Sequence, residues 1–161
     1  MSDKYYKLHT IIEENYKLEK FHKIIKALEE TIPLYKELVE SEKREFGDFS
    51  TNYSVALEKG GLIAFAIGEI DLLKKIESEL RSIPETQNWA DRAKEFIENC
   101  EIGNQIINVV SENPGISQLE IKQKIELKDQ SEISFIIYWL AKVNRLTRNK
   151  YGRSYKLYPK E

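Results

Sequence analysis

Apolar residues recur at helical spacing along most of the chain and change to strict alternation only near its end. Between residues 4 and 31, Leu8, Ile11, Ile12, Leu18, Phe21, Ile25 and Leu28 keep a helical period. Leu18, Phe21, Ile25, Leu28 and Ile32 are spaced like a coiled-coil seam. The pattern predicts one helix here, broken at Thr31-Ile32-Pro33. A second helix is expected from Leu34 to about Glu45, then a loop over residues 46 to 50 with Ser50 or Thr51 as cap. Gly60-Gly61 falls inside the next helical segment, about 53 to 80. It either separates two helices or lets neighbours approach closely, and the pattern is compatible with both. Ser82-Ile83-Pro84-Glu85 is a stop before a helix over about 86 to 101, with Trp89, Ala93, Phe96, Ile97 and Cys100 inward. Gly103 is expected to bend the chain.

The last third has a different rhythm. A helix over about 104 to 112, with Ile106, Ile107 and Val110 at core spacing, ends at Asn113-Pro114-Gly115. Ser117-Gln118-Leu119-Glu120 has the form of a capping box. It opens a short helix to about Ile125, with Leu119 and Ile125 inward and Lys122 and Lys124 outward. After the turn Glu126-Leu127-Lys128, Asp129-Gln130-Ser131-Glu132 repeats the capping form, and a third helix runs to about Val143. Ile133, Ile136, Ile137, Leu140 and Val143 share one face, with Ser131, Phe135, Tyr138 and Lys142 opposite. Beyond Asn144 the period becomes two. Residues 145 to 148 and 154 to 158 read as strands, and 149 to 153 as a turn with glycine, which together predict a β-hairpin.

This stretch resembles the winged helix-turn-helix superfamily, as used by MarR-like and related bacterial regulators. The residues that carry the resemblance are Ile116-Ser117 before the second helix, Ser131 to Leu140 in the recognition-helix position, and Leu146-Thr147-Arg148 with Tyr151-Gly152-Arg153-Ser154-Tyr155 in the wing. The expected fold class is mainly α, a helical bundle over 1 to 102 serving dimerisation or sensing, followed by a winged helix-turn-helix domain over 103 to 161. No helical pattern follows the wing, so the two-helix dimer clamp of MarR-like proteins is not expected to be copied whole.

Charge agrees with that division. Residues 103 to 161 hold ten Lys/Arg against six Asp/Glu, and residues 1 to 102 hold fifteen against twenty-one. A basic module on an acidic body is the electrostatic footprint of a nucleic-acid reader. The resemblance implies double-stranded DNA as partner, a homodimer acting in transcription regulation, and a recognition helix over about 130 to 143 in the major groove. Gln130, Ser131, Ser134, Phe135, Tyr138 and Lys142 are then the groove-facing candidates, and Arg148, Lys150 and Arg153 the wing contacts. Arg145 and Lys156 are further phosphate candidates. A second reading starts from Phe135, Tyr138 and Trp139, because exposed aromatics are typical of protein interfaces. In it the winged helix docks a protein partner.

Composition bounds the rest. Hydrophobic content of 41% with 32% charge describes a soluble globular chain, and no apolar run approaches the ~18 residues of a membrane helix. No apolar segment at the N-terminus directs export, so a cytoplasmic protein without membrane contact is expected. Catalytic residues, metal and cofactors are not expected, and the protein reads as a non-enzyme. His9 and His22 lie thirteen positions apart on one expected helix. Glu19-x-x-His22 lacks the second such motif of a di-iron site. Cys100 sits on an apolar face and reads as a buried, inert thiol. Gly60-Gly61 is not followed by the residues of a phosphate loop.

Overall fold

The structure, a computed structural model, describes residues 2–37, 40, 51–125 and 130–160 of the 161-residue chain. They are mainly helical, with a small three-stranded antiparallel sheet toward the C-terminal end. The chain divides into two units, Met1–Phe65 with Glu69–Ile97, and Ala66–Gly68 with Glu98–Glu161.

In the first unit, α1 (Ser2–Lys17) and α2 (Phe21–Thr31) stand where the apolar pattern predicts a single helix. The Lys20 amide donates to the Asn15 carbonyl at 2.9 Å and the Glu19 amide to the Tyr16 carbonyl at 3.3 Å, with Glu19 at φ +57°. That is a Schellman cap built on glutamate, so no glycine announces the stop. The expected coiled-coil seam is kept only in part. Leu18 falls in the turn at 62% exposure, while α2 packs against α1 and buries Leu28 of the seam together with Ile24, Ala27 and Thr31 beside it. His9 and His22 therefore sit on two helices, and Glu19 and His22 do not share one. A left-handed residue other than glycine is strained by about 1–2 kcal/mol. Glu19→Gly is expected to raise the unfolding free energy by roughly 0.5–1 kcal/mol. The readout is a higher urea midpoint at unchanged slope.

A 3-10 turn, Ile32–Leu34, carries the expected break, and residues 35–37 and 40 are helical. The expected helix end near 45, the loop at 46 to 50 and the Ser50 cap lie outside the described residues. The Thr31 hydroxyl, 2.6 Å from the Leu28 carbonyl oxygen and 3.4 Å from the Tyr35 hydroxyl, anchors this bend. Burial pushes the Tyr35 phenol up to about 12.

Helix α3 (Thr51–Ile67) runs unbroken through Gly60-Gly61. A Cβ added at Gly60 would lie 2.8 Å from Leu28 Cδ1, and one at Gly61 would lie 2.7 Å from the Phe96 ring. The pair therefore serves close approach on two sides rather than a break. Helix α4 (Ile70–Arg81) and a 3-10 turn (Pro84–Thr86) follow, and the buried Thr86 hydroxyl donates to the Leu80 carbonyl at 2.6 Å. Helix α5 (Gln87–Glu112) begins in this unit. Its Arg92 forks onto both Glu58 oxygens at 2.7 and 2.9 Å, the planar bidentate pairing that guanidinium favours. Lys59 reaches Glu13 on α1 at 2.9 Å.

The second unit takes α5 from residue 98 onward. The helix passes straight through Gly103, against the expected bend, because this glycine serves packing. A Cβ there would touch Leu140 Cδ2 at 3.4 Å. Strand β1 (Ile116–Ser117) leads into α6 (Gln118–Lys124), then α7 (Gln130–Lys142), β2 (Leu146–Tyr151) and β3 (Ser154–Pro159). The sheet order is β1-β3-β2, with every pairing antiparallel.

Local chemistry accounts for these boundaries. The capping box opens α6, with the Glu120 amide donating to Ser117 Oγ at 3.1 Å and the Ser117 amide to the Glu120 carboxylate at 3.4 Å. The second box rests on Asp129, outside the described residues. Helix α7 ends at Asn144, φ +61°, where the Arg145 amide donates to the Leu140 carbonyl at 2.8 Å. Two expectations are corrected. Ile125, just past α6, is buried as expected, but Leu119 is 56% exposed and Ile121 takes the inner position on the helix. The hairpin is longer and tighter than its sequence suggests: Asn149, Lys150 and Tyr151 pair with Lys156, Tyr155 and Ser154. Only Gly152-Arg153 is left as a loop. Gly152 at φ +61° supplies the first corner, as in a type II′ turn.

Candidate nucleic-acid interface

Helix α7 has two faces. Ile133, Ile136, Ile137 and Leu140 are buried, which leaves Ser131, Glu132, Phe135 and Tyr138 exposed. Phe135 and Tyr138 are each 43% exposed, and Trp139, the third residue of the predicted aromatic face, is half-buried. Lys142 is half-buried in the last turn. Gln130 begins the helix, and its side chain lies outside the described residues.

Ser134, of the predicted groove-facing set, is half-buried. Gln118 Nε2 donates to its hydroxyl at 3.0 Å, so Ser134 helps to join α6 to α7. The helical wheel puts residue 134 on the border between the two faces, and only the position of α6 decides which side claims it.

The register of the hairpin sorts its cations. Side chains alternate along each strand, so Leu146, Arg148 and Lys150 share a face with Leu157 and Tyr155. Leu146 and Leu157 are buried, which makes this the inner face of the sheet. Beyond that core, Arg148 crosses to α7. Its guanidinium carbon lies 5.5 Å from the Tyr138 ring centre and 4.1 Å from that of Tyr155, a cation held between two aromatic faces. Tyr138 also meets Trp139 edge-on at 5.6 Å. Lys150 and Arg153 are exposed, and no atom lies within 4 Å of a Cβ added at Gly152. The tip thus extends into open space.

The remaining cations do other work. Lys156 is on the outer face, 4.0 Å from the Tyr151 ring centre. Arg145 is not a surface cation: it donates to the Ala66 carbonyl and to Asn104 Oδ1, both at 3.0 Å. Partial burial draws its pKa below the ordinary arginine value, although an arginine in a protein stays charged. Among the site residues, Tyr155 is the one that sequence reasoning missed. Its pairing opposite Lys150 puts it one step from Arg148 on the same face, and a correct hairpin register would have found it.

Among the described residues, no group of His, Cys, Asp and Glu is arranged to hold a metal ion, and no helix is long and apolar enough to cross a membrane. Cys100 is fully buried. Compared with models of protein families, with curated proteins and with solved structures, the chain matches none of them.

Proposed function

We propose that this chain is a winged helix-turn-helix protein that binds double-stranded DNA in a sequence-specific manner, as a homodimeric transcriptional regulator. The observation that carries the reading is the contact between Arg148 and Tyr138. It brings the inner face of a basic hairpin beside the exposed face of α7, with Lys150 and Arg153 at the open tip. The element order helix, short strand, helix, helix, hairpin and the pairing β1-β3-β2 agree with it. A helix about 10–12 Å across fits a major groove about 12 Å wide. With α7 in the groove, the hairpin follows the adjacent backbone, where Lys150 and Arg153 neutralise phosphates. The homodimer would present two such helices one DNA turn apart.

The test is selection from a pool of random duplexes at two salt concentrations. Recovery of one palindromic motif at both salts is the expected result. Arg153→Ala should then weaken binding to every duplex alike and reduce the log–log salt slope by about one. Weak binding that vanishes at the higher salt with no motif would sink the reading. The exposure of Phe135 and Tyr138 would then favour the second one, a winged helix that docks a protein partner through this aromatic face.

A further inference from the structure

We propose that α7 reads the C5-methyl groups of thymine, so that the duplexes preferred by this protein carry T·A pairs opposite Phe135 and Tyr138. The inference rests on the duplex-binding reading and specifies what that site recognises. Base edges in the major groove present hydrogen-bonding atoms at all four pairings but an apolar group only where thymine stands, the C5-methyl. Beyond Gln130 at its first position, α7 has no Arg, Asn or Gln to read guanine or adenine by paired hydrogen bonds, and its one basic residue, Lys142, is half-buried in the last turn. The Ser134 hydroxyl is engaged by Gln118. What the middle of the exposed face offers is the two rings, three residues apart and therefore neighbours on the helix surface.

The surroundings of Tyr138 strengthen the case. Trp139 meets it edge-on at 5.6 Å, and Arg148 lies 5.5 Å from its centre while stacking on Tyr155. A ring held on two sides has little rotamer freedom left to lose on binding. Arg148 is thereby drawn onto the aromatic faces and away from a guanine edge. A G·C pair opposite Phe135 would press polar edge atoms against a ring that cannot bond them, and leaving such groups unmade is costly. The same rings accept a methyl group without loss.

Deoxyuridine provides the test, because it keeps every hydrogen bond of thymidine and lacks only the methyl group. The full-length protein is titrated with the selected duplex and with versions carrying deoxyuridine at one thymidine at a time. Affinity is expected to fall about fourfold at one or two positions in each half-site, the worth of one buried methyl-sized group, and to stay unchanged elsewhere. Phe135→Ala should abolish the difference at its position with the salt slope intact. Phe135→Leu, which keeps an apolar contact, should retain part of it. If the selected duplex binds and no deoxyuridine position matters, this proposal is overturned while the duplex reading stands. If no duplex is selected, both are overturned together.

Discussion

Phe96→Ala is expected to lower the unfolding free energy by about 3–5 kcal/mol, the range for removing a buried phenylalanine ring from a packed core. The ring is 1% exposed, stacks on Phe65 at 6.3 Å between centres, and lies under the Arg92 guanidinium at 4.5 Å. Its other neighbour is the bare backbone of Gly61, so tightly set that a Cβ there would fall 2.7 Å from the ring. Gly61→Ala is therefore expected to destabilise by about 1–3 kcal/mol through overpacking. Urea unfolding of the two single variants and of their combination would test the geometry. In Phe96→Ala the space for the extra methyl is already empty, so the two losses should add to clearly less than their sum. Additive losses would mean that Gly61 is not the residue that accommodates this ring.

Arg145→Ala is expected to cost about 2–3 kcal/mol of stability and, on the proposed function, to leave the salt dependence of duplex binding unchanged. The side chain joins two parts of the second unit that are far apart in sequence. It donates to the Ala66 carbonyl at the end of α3 and to Asn104 Oδ1 on α5. Hydrogen bonds from a charged donor are worth about 1.5–3 kcal/mol, and truncation leaves both acceptors without this donor. Gly68 lies against the same guanidinium, and a Cβ at that position would sit 3.1 Å from Nη1. The contrast is with Arg153→Ala, predicted above to flatten the salt slope and, at an exposed tip, to leave stability within about 0.5 kcal/mol of the original. A salt slope that fell with Arg145 and not with Arg153 would overturn the proposed placement of the duplex along the wing tip.

These two arginines show where reading the chain stops. Both belong to the basic end, and sequence alone treated Arg145 as a further phosphate candidate beside Arg153. Nothing within several residues of Arg145 reveals a partner seventy-nine positions away. The same limit explains Gly60-Gly61, for which breaking a helix and packing against one were equally compatible with the pattern. The choice lies with Leu28 and Phe96, which come from other helices. On α6, a helix too short for its own period to decide, Leu119, Ile121 and Ile125 compete for the inner face, and packing selects the last two. Glu19 is a different kind of miss. It occupies a left-handed cap that usually carries glycine, so its residue type misstates the backbone it adopts.

What this sequence determined by itself is local. The Ser117–Glu120 capping box, the end of α7 at Asn144, the glycine turn of the hairpin and the buried face of α7 are each settled by residues within a few positions of one another. Backbone hydrogen bonding and side-chain periodicity act over that distance, and they are readable in one dimension. The tertiary structure alone decided which charges are structural, which small residues admit a neighbour, that Ser134 of α7 takes a hydrogen bond from Gln118 of α6, and that Arg148 bridges Tyr138 and Tyr155. Those outcomes depend on which residues distant in sequence become close in space, and packing density sets that only once the whole core has formed.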